Sequence, residues 1–277
     1  MKVRFWGTRG SVASPGPDTA RYGGNTSCVE VRGAEGTLLV LDAGTGIRPL
    51  GRALGASVRR IHLLLSHFHM DHIQGLGFFA PLYDPEVEIH LWGPGSAMLD
   101  LRGRLMRYLS PPLFPVHLRD LPRLVLHDLP AGEFEVGEFR VHSDRVCHPG
   151  FTVGYRIAAG GSTLAYLSDH EPALGAPRFP LCADWTSGHA LAHGADLLVH
   201  DAQYTLEEYA EHIGWGHSAI DHAVAFAALA EARRLVTFHH DPAHDDDAVD
   251  RLTAAAAAAA PPSLTVTAGA EGAVFEV

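Results

Sequence analysis

Four side chains that bind metals well, His67, His69, Asp71 and His72, fall within the octet Leu65-Ser66-His67-Phe68-His69-Met70-Asp71-His72. Neutral imidazole and carboxylate are donors for zinc, manganese or iron. The octet follows an apolar run, Ile61-His62-Leu63-Leu64-Leu65, which reads as a buried strand ending at Ser66. An H-x-H-x-D-H turn at a strand end aims two imidazoles at one metal. It aims a carboxylate and a third imidazole at a second.

Other strand-like runs end in the same residue types. His148 follows a strand ending Arg145-Val146-Cys147, and Asp169 follows Leu164-Ala165-Tyr166-Leu167. His200 and Asp201 follow Asp196-Leu197-Leu198-Val199, and His239 and His240 follow Leu235-Val236-Thr237-Phe238. In a layered α/β protein, ligands gather at strand ends where loops meet, so these positions are expected to share one site.

The elements that must position them can be read from pattern. Strands are expected at 3–7, 28–32, 37–42, 61–65, 87–92, 139–146, 152–157, 163–167, 196–200, 235–238 and 270–277. A short helix is expected after Asp42-Ala43-Gly44-Thr45-Gly46. Longer helices are expected at 71–77, 96–108, 218–232 and 245–260, the last carrying a run of seven alanines. Residues 109–122 hold four prolines and several large apolar groups, and read as a loop packed on the core or a lid over the site. No linker separates domains, so residues 1–277 are expected to form a single domain of two β-α layers facing each other.

Composition narrows the function. The chain is 47% hydrophobic, enough for a sizeable core, and carries a formal charge of −11. That balance argues against long nucleic acid as partner. A small anionic substrate remains compatible, because a metal pair adds local positive charge. The start of the chain lacks a basic region followed by an apolar stretch, so no signal peptide is expected, and no run is long enough to span a bilayer. Three widely spaced cysteines, Cys28, Cys147 and Cys182, form no disulfide framework, which fits a cytoplasmic location.

The pattern His67-x-His69-x-Asp71-His72, then His148, Asp169 and His239, resembles the metallo-β-lactamase fold superfamily of dinuclear metal hydrolases. Its second half is most similar to the ribonuclease Z and phosphodiesterase branch. There a His-Glu-Ala-Thr type motif precedes a His-Ser/Thr pair at a helix start and a ligand histidine after the next strand. This chain has His200-Asp201-Ala202-Gln203-Tyr204, His217-Ser218 and Phe238-His239. The resemblance implies a four-layer αββα sandwich and two divalent metal ions, zinc first, with manganese or iron as alternatives. His67, His69 and His148 would hold one metal, and Asp71, His72 and His239 the other. Asp169 would bridge them, and a hydroxide between the metals would be the nucleophile.

Asp71, His217 and Asp201 are the candidate catalytic side chains. His217 is the candidate general acid for the leaving oxygen. Asp201 would orient it, with aspartate standing where the family has glutamate. His240 competes with His239 for the last ligand place, and His239 is preferred on its spacing from His217. His200 reads as a site residue or a satisfied buried histidine. Asp42 is expected to fix a ligand histidine's tautomer, Asn25 to orient the same region, and Arg9 to meet a substrate phosphate or lie at the surface. His244 with Asp245, Asp246 and Asp247 reads as a solvated acidic helix start.

These residues point to a phosphodiesterase acting on a small nucleotide-like or cyclic phosphodiester. The alternatives are a thioester or lactone hydrolase of the same fold, a tRNA 3′-processing endoribonuclease, or a metal-containing nucleotide or redox sensor. The Cys147–Asp169 interval has no long insertion resembling the tRNA-binding arm of ribonuclease Z. His67-Phe68-His69 also lacks the extra carboxylate common in redox members. Similar proteins are commonly dimeric, and a homodimer stays open.

Overall fold

In a computed structural model, which describes residues 1–277 other than Ala97, Ala131 and Pro177, the chain builds two seven-stranded sheets packed face to face. The first contains β1 (Lys2–Gly7), β2 (Cys28–Arg32), β3 (Leu38–Leu41), β4 (Arg60–Leu64), β5 (Glu88–Gly93), β6 (Leu124–Asp128) and β14 (Val274–Glu276), in the order β14-β1-β2-β3-β4-β5-β6. The second contains β7 (Gly132–Val136), β8 (Phe139–Arg145), β9 (Val153–Ala159), β10 (Ser162–Leu167), β11 (Leu197–Asp201), β12 (Arg234–Phe238) and β13 (Thr265–Ala268), in the order β13-β12-β11-β10-β9-β8-β7. Each sheet is half parallel. β3 to β6 run parallel in the first and β10 to β13 in the second, while the remaining neighbours are antiparallel.

The parallel strands need covering on both faces, and their sequences are accordingly continuous apolar runs. Leu39, Leu41 and Leu64 point between the sheets, where they meet Phe5, Phe139, Tyr155 and Phe238. Phe5 and Phe238 face each other across this layer with ring centroids 5.8 Å apart. Burying each phenylalanine stabilises the fold by about 1.5–3 kcal/mol, and Phe238 thereby anchors the strand end that carries His239. The alternate residues, Val40, Ile61, Leu63 and Leu65, pack outward on α1 (Ile47–Ala53), α2 (Met70–Ile73) and α3 (Leu101–Leu105). The second sheet is covered by α4 (His189–Ala192), α6 (Ile220–Leu229) and α7 (Asp246–Ala259) through Leu191, Ala223, Phe226 and Ala256. A further short helix, α5 (Leu206–Glu211), starts at a capping box made by Thr205 and Glu208. The result is the αββα sandwich that the resemblance implies. No helix among the described residues is long and apolar enough to cross a membrane.

Several element boundaries differ from expectation. The helix expected at 71–77 spans Met70–Ile73 and gives way to a 3₁₀ turn at Leu76–Phe78. Gly75 lies there so close to the chain that a Cβ would come within 2.1 Å of the Gly44 carbonyl oxygen, so the turn is shaped by close approach rather than by propensity. Of the helix expected at 96–108, Ala97 lies outside the described residues and the helix itself is Leu101–Leu105, capped by Asp100. Three strands, β6, β7 and β13, are additional to those expected, and the last strand is shorter than 270–277. Segment 109–122 packs on the core, with Leu109, Phe114 and Leu118 buried.

Candidate metal centre

Both parallel halves direct their strand ends to one edge of the sandwich, and the ligand-type residues converge there. His67, His69, His148 and Asp169 form one group whose donor atoms all lie within 4.8 Å of one another, and Asp71, His72, Asp169 and His239 form a second. Asp169 belongs to both. Its Oδ1 lies 3.0 Å from His72 Nε2, and its Oδ2 lies 3.4 Å from His239 Nε2, 3.6 Å from His67 Nε2 and 3.8 Å from His148 Nε2. Asp71 Oδ2 stands 3.1 Å from His239 Nε2 and 3.3 Å from His72 Nε2. His69 Nδ1 and His148 Nε2 face each other at 3.1 Å. All of these residues are buried except His69, which stands at the mouth.

In His67, His72, His148 and His239 the other ring nitrogen is already engaged, which fixes the tautomers. With Nδ1 protonated, His72 donates to Asp42 Oδ2 (2.9 Å), His148 to the Gly216 carbonyl (2.9 Å) and His239 to Gln203 Oε1 (2.8 Å). His67 Nδ1 donates to Ser66 Oγ (3.0 Å), and Ser66 in turn donates its hydroxyl and its amide to Asp42. One carboxylate therefore orients a histidine of each group. Tyr166 holds it in place with an O–H bond of 2.8 Å. Asp42 sits at φ 60° and His239 also at φ 60°, a backbone region costly for residues with a side chain and here held by these bonds. Gly10 packs against the His239 ring so tightly that a Cβ would come within 2.3 Å of Nδ1.

These donors fit divalent cations. His67 Nε2, His72 Nε2 and Asp169 Oδ1 are buried and have no hydrogen-bond partner, although buried polar atoms are nearly always satisfied. Four nitrogen or oxygen donors per group, with the remote nitrogens of every histidine but His69 tied down, are the chemistry of a hard or borderline metal.

Electrostatics separates the two groups. Burial pushes His67, His69 and His148 down, His148 to about 4, so they are neutral and ready to ligate. Burial also works against charge on His239, but Asp169 and the bond to Asp71 outweigh it and hold His239 at about 9. His72 is raised for similar reasons by Asp169, Asp71 and Asp42. In the metal-free protein these raised groups contribute stability fully present below the unfolded histidine value near 6.5. The share from His239 is lost as pH rises through about 9. Cations must displace the same protons. The increase in Tm produced by zinc is therefore expected to grow from pH 6.5 to 9. A zinc-induced shift that is flat or falling over that range, followed by scanning calorimetry, would refute this.

Beside the second group, His217 donates Nδ1–H to Asp201 Oδ2 at 2.6 Å, and its ring stacks on His239 at 4.8 Å and 15°. Asp201 is fully buried, its Oδ1 accepting the amides of Gln203 and Ser218. The structure thus brings His217 and Asp201 to the centre together with the seven ligand-type residues.

The remaining candidates sit elsewhere. His200 is buried against His170 (2.9 Å) and reaches neither group. His240 turns away and donates to the Gly269 carbonyl. Arg9 corrects both expectations made for it. It is fully buried, donating to the carbonyls of Gly23, Asp241 and His244, and meets neither substrate space nor the surface. Arg9 and Asn25 instead frame the loop whose Ser11 amide donates to Asp71 Oδ2. The Asn25 carbonyl receives the Thr8 and Arg9 amides, and its side chain bonds Glu271. The acidic helix start is likewise not simply solvated: Asp245 caps α7 and Asp246 is buried, receiving the Arg21 and Tyr22 amides. Gln203, Ser66 and Tyr166 were not singled out in the sequence. Gln203 lies in the quoted His200–Tyr204 motif, but its partner is 36 residues away.

Comparison with known proteins agrees with this architecture. The family described as Beta-lactamase superfamily domain matches residues 37–240. A ribonuclease Z from Natronomonas pharaonis is 25% identical over 281 residues, covering 86% of each chain. One from Myxococcus xanthus is 28% identical over 295 residues, covering 91% of each. The metallo-beta-lactamase fold protein YhfI from Bacillus subtilis superimposes with a TM-score of 0.71 at 20% identity, covering 99% of both chains.

Proposed function

Because this chain belongs to the β-lactamase superfamily and is a metal-dependent hydrolase, we propose that it hydrolyses small phosphodiesters, nucleotide-like or cyclic, using two divalent cations, zinc by preference. His67, His69 and His148 would hold one cation, Asp71, His72 and His239 the other, and Asp169 both. Bound there, the cations would supply a water of lowered pKa and a clamp on the attacking and leaving oxygens.

The observation that carries this reading is the Asp201–His217 pair set against His239. Cleaving a phosphodiester expels an alkoxide, a poor leaving group that needs a proton. A thioester expels a thiolate, which leaves without that proton. Asp201 accepts the Nδ1 proton of His217, so Nε2 is left to hold the proton that the leaving oxygen takes. The shorter aspartate, in place of glutamate, still reaches the imidazole. Asp42 and Gln203 keep the ligand imidazoles turned, and His69 marks the side from which substrate enters.

The curated relatives favour a second reading, cleavage of tRNA precursors at their 3′ end, since both are named ribonuclease Z. Two features support the smaller substrate. The formal charge is −11, opposite to a phosphate-binding surface. Between His148 and Asp169 the chain passes straight through β9 and β10, which are joined by the turn Gly160-Gly161, with no room for an arm. Free Cys28, Cys147 and Cys182 suit a reducing cytoplasm.

Zinc-loaded protein offered bis(p-nitrophenyl) phosphate, a thioester, a lactone and an RNA with a 3′ trailer separates these readings. Turnover of the phosphodiester, at a rate well above the other three, is expected. Efficient trimming of the RNA would replace the proposed substrate with tRNA, and cleavage of the thioester or lactone alone would overturn the phosphodiesterase reading.

A further inference from the structure

We infer that Glu171 is a positioning residue that aims His148 and His217 together, by clamping the loop that lies between them. This inference rests on the roles proposed above for those two histidines. Glu171 is 1% exposed and follows Asp169 by two residues, yet it belongs to neither ligand group. Its carboxylate is instead surrounded by donors. Gly216 N donates to Oε2 at 3.0 Å, Gly214 N to both oxygens at 3.1 and 3.2 Å, and Tyr209 O–H to Oε1 at 2.8 Å. Gly214 and Gly216 have φ of 86° and 87°, so their amides turn inward and form a cradle for an anion. The anion it holds belongs to the protein.

The clamped loop serves both histidines. The Gly216 carbonyl accepts the His148 Nδ1 proton, and the next residue is His217. Contact there is close: a Cβ on Gly216 would come within 2.3 Å of His148 Nδ1. The backbone of Glu171 closes the circuit, since its amide donates to the Cys147 carbonyl at 2.9 Å, one residue before His148. A single buried carboxylate therefore sets the ring angle of a ligand histidine on one side and the start of the segment carrying the acid on the other. A carboxylate has four lone-pair sites to accept these bonds. An amide in its place would turn N–H groups toward backbone N–H groups.

Glu171→Gln tests this. Two readouts respond to histidine placement and are insensitive to a general loss of stability. The first is zinc affinity, followed by competition with a chromogenic chelator. It is expected to weaken by roughly 10–100-fold, the usual cost of losing a partner that orients a ligand. The second is the ratio of turnover on p-nitrophenyl and alkyl phosphodiesters at saturating zinc. p-Nitrophenolate leaves without a proton and an alkoxide does not, so misplacing His217 should raise that ratio at least tenfold. Tyr209→Phe, which removes the bond to Glu171 and the one from the Gly175 amide but leaves both glycine amides on the carboxylate, should stay within about twofold of the unaltered protein on both readouts.

If Glu171→Gln fails to fold, Gly214→Ala addresses the same loop. Its Cβ would meet nothing within 4 Å, so only the positive φ is disturbed. A variant with unaltered zinc affinity and an unaltered leaving-group ratio overturns the inference. A change in both supports it, and a change in only one confines Glu171 to the histidine that reports it and overturns the joint role. If the parent protein itself bound no zinc or cleaved no phosphodiester, the functional reading would fail instead, and the two failures are therefore distinct.

Discussion

His217→Ala is expected to keep both cations and to lose alkyl phosphodiester turnover by about 10²- to 10⁴-fold, the range for removing a general acid. The expectation follows from where the ring stands. It is bonded to Asp201 and stacked on His239, but it is absent from both groups that contain Asp169. Its loss should spare p-nitrophenyl esters much more than alkyl ones. Metal analysis is essential to the test, because Asp201, His217 and His239 also lie within 4.8 Å of one another and offer a rival cluster. A variant with one cation fewer would make His217 a ligand. A variant with full turnover would leave it with no part in the chemistry.

Asp169→Asn is expected to have the larger effect. The amide is nearly the same shape, so packing around this 2% exposed residue should survive. What disappears is the charge that both groups share. Burial opposes that charge, and His239, His72 and His67 hold the carboxyl well below its ordinary range. Without it, His67, His69 and His148 keep three neutral imidazoles, while the second group loses its common anion. The loss of metal affinity should exceed the roughly 10–100-fold cost of removing a ligand's hydrogen-bond partner. Turnover should fall to background. Circular dichroism on the same samples tells loss of metal from loss of fold. Two tightly bound cations in this variant would remove Asp169 from the centre.

The ligand residues were legible because they sit at the ends of apolar runs, where local pattern reports both the strand and its exit. β4, β10, β11 and β12 each announce themselves in this way, and the resemblance supplied the layer order. The partners that aim those ligands were not legible to the same degree. The Asp42 turn reads as one that fixes a ligand histidine's tautomer, but that its partner is His72, 30 residues away, and that Glu171 meets Gly216, 45 away, are properties of the sandwich rather than of either segment. Arg9 shows the opposite failure. An arginine in a glycine-rich loop suggests exposure, yet this one is buried because three backbone carbonyls accept from its guanidinium and the Asp246 carboxylate lies 3.6 Å away as its counter-charge. β6 escaped notice because its burial does not alternate cleanly, whereas β7 does alternate, exposed Glu133 and Glu135 against Phe134 and Val136, over only five residues. Both are short edge strands, half covered.

A zinc titration of metal-free protein, with bound cations and bis(p-nitrophenyl) phosphate turnover followed at each point, tests the dinuclear phosphodiesterase most directly. Binding should saturate at two cations per chain, with turnover rising as the second one loads. Saturation at one cation, or two bound cations without phosphodiester cleavage, would contradict it.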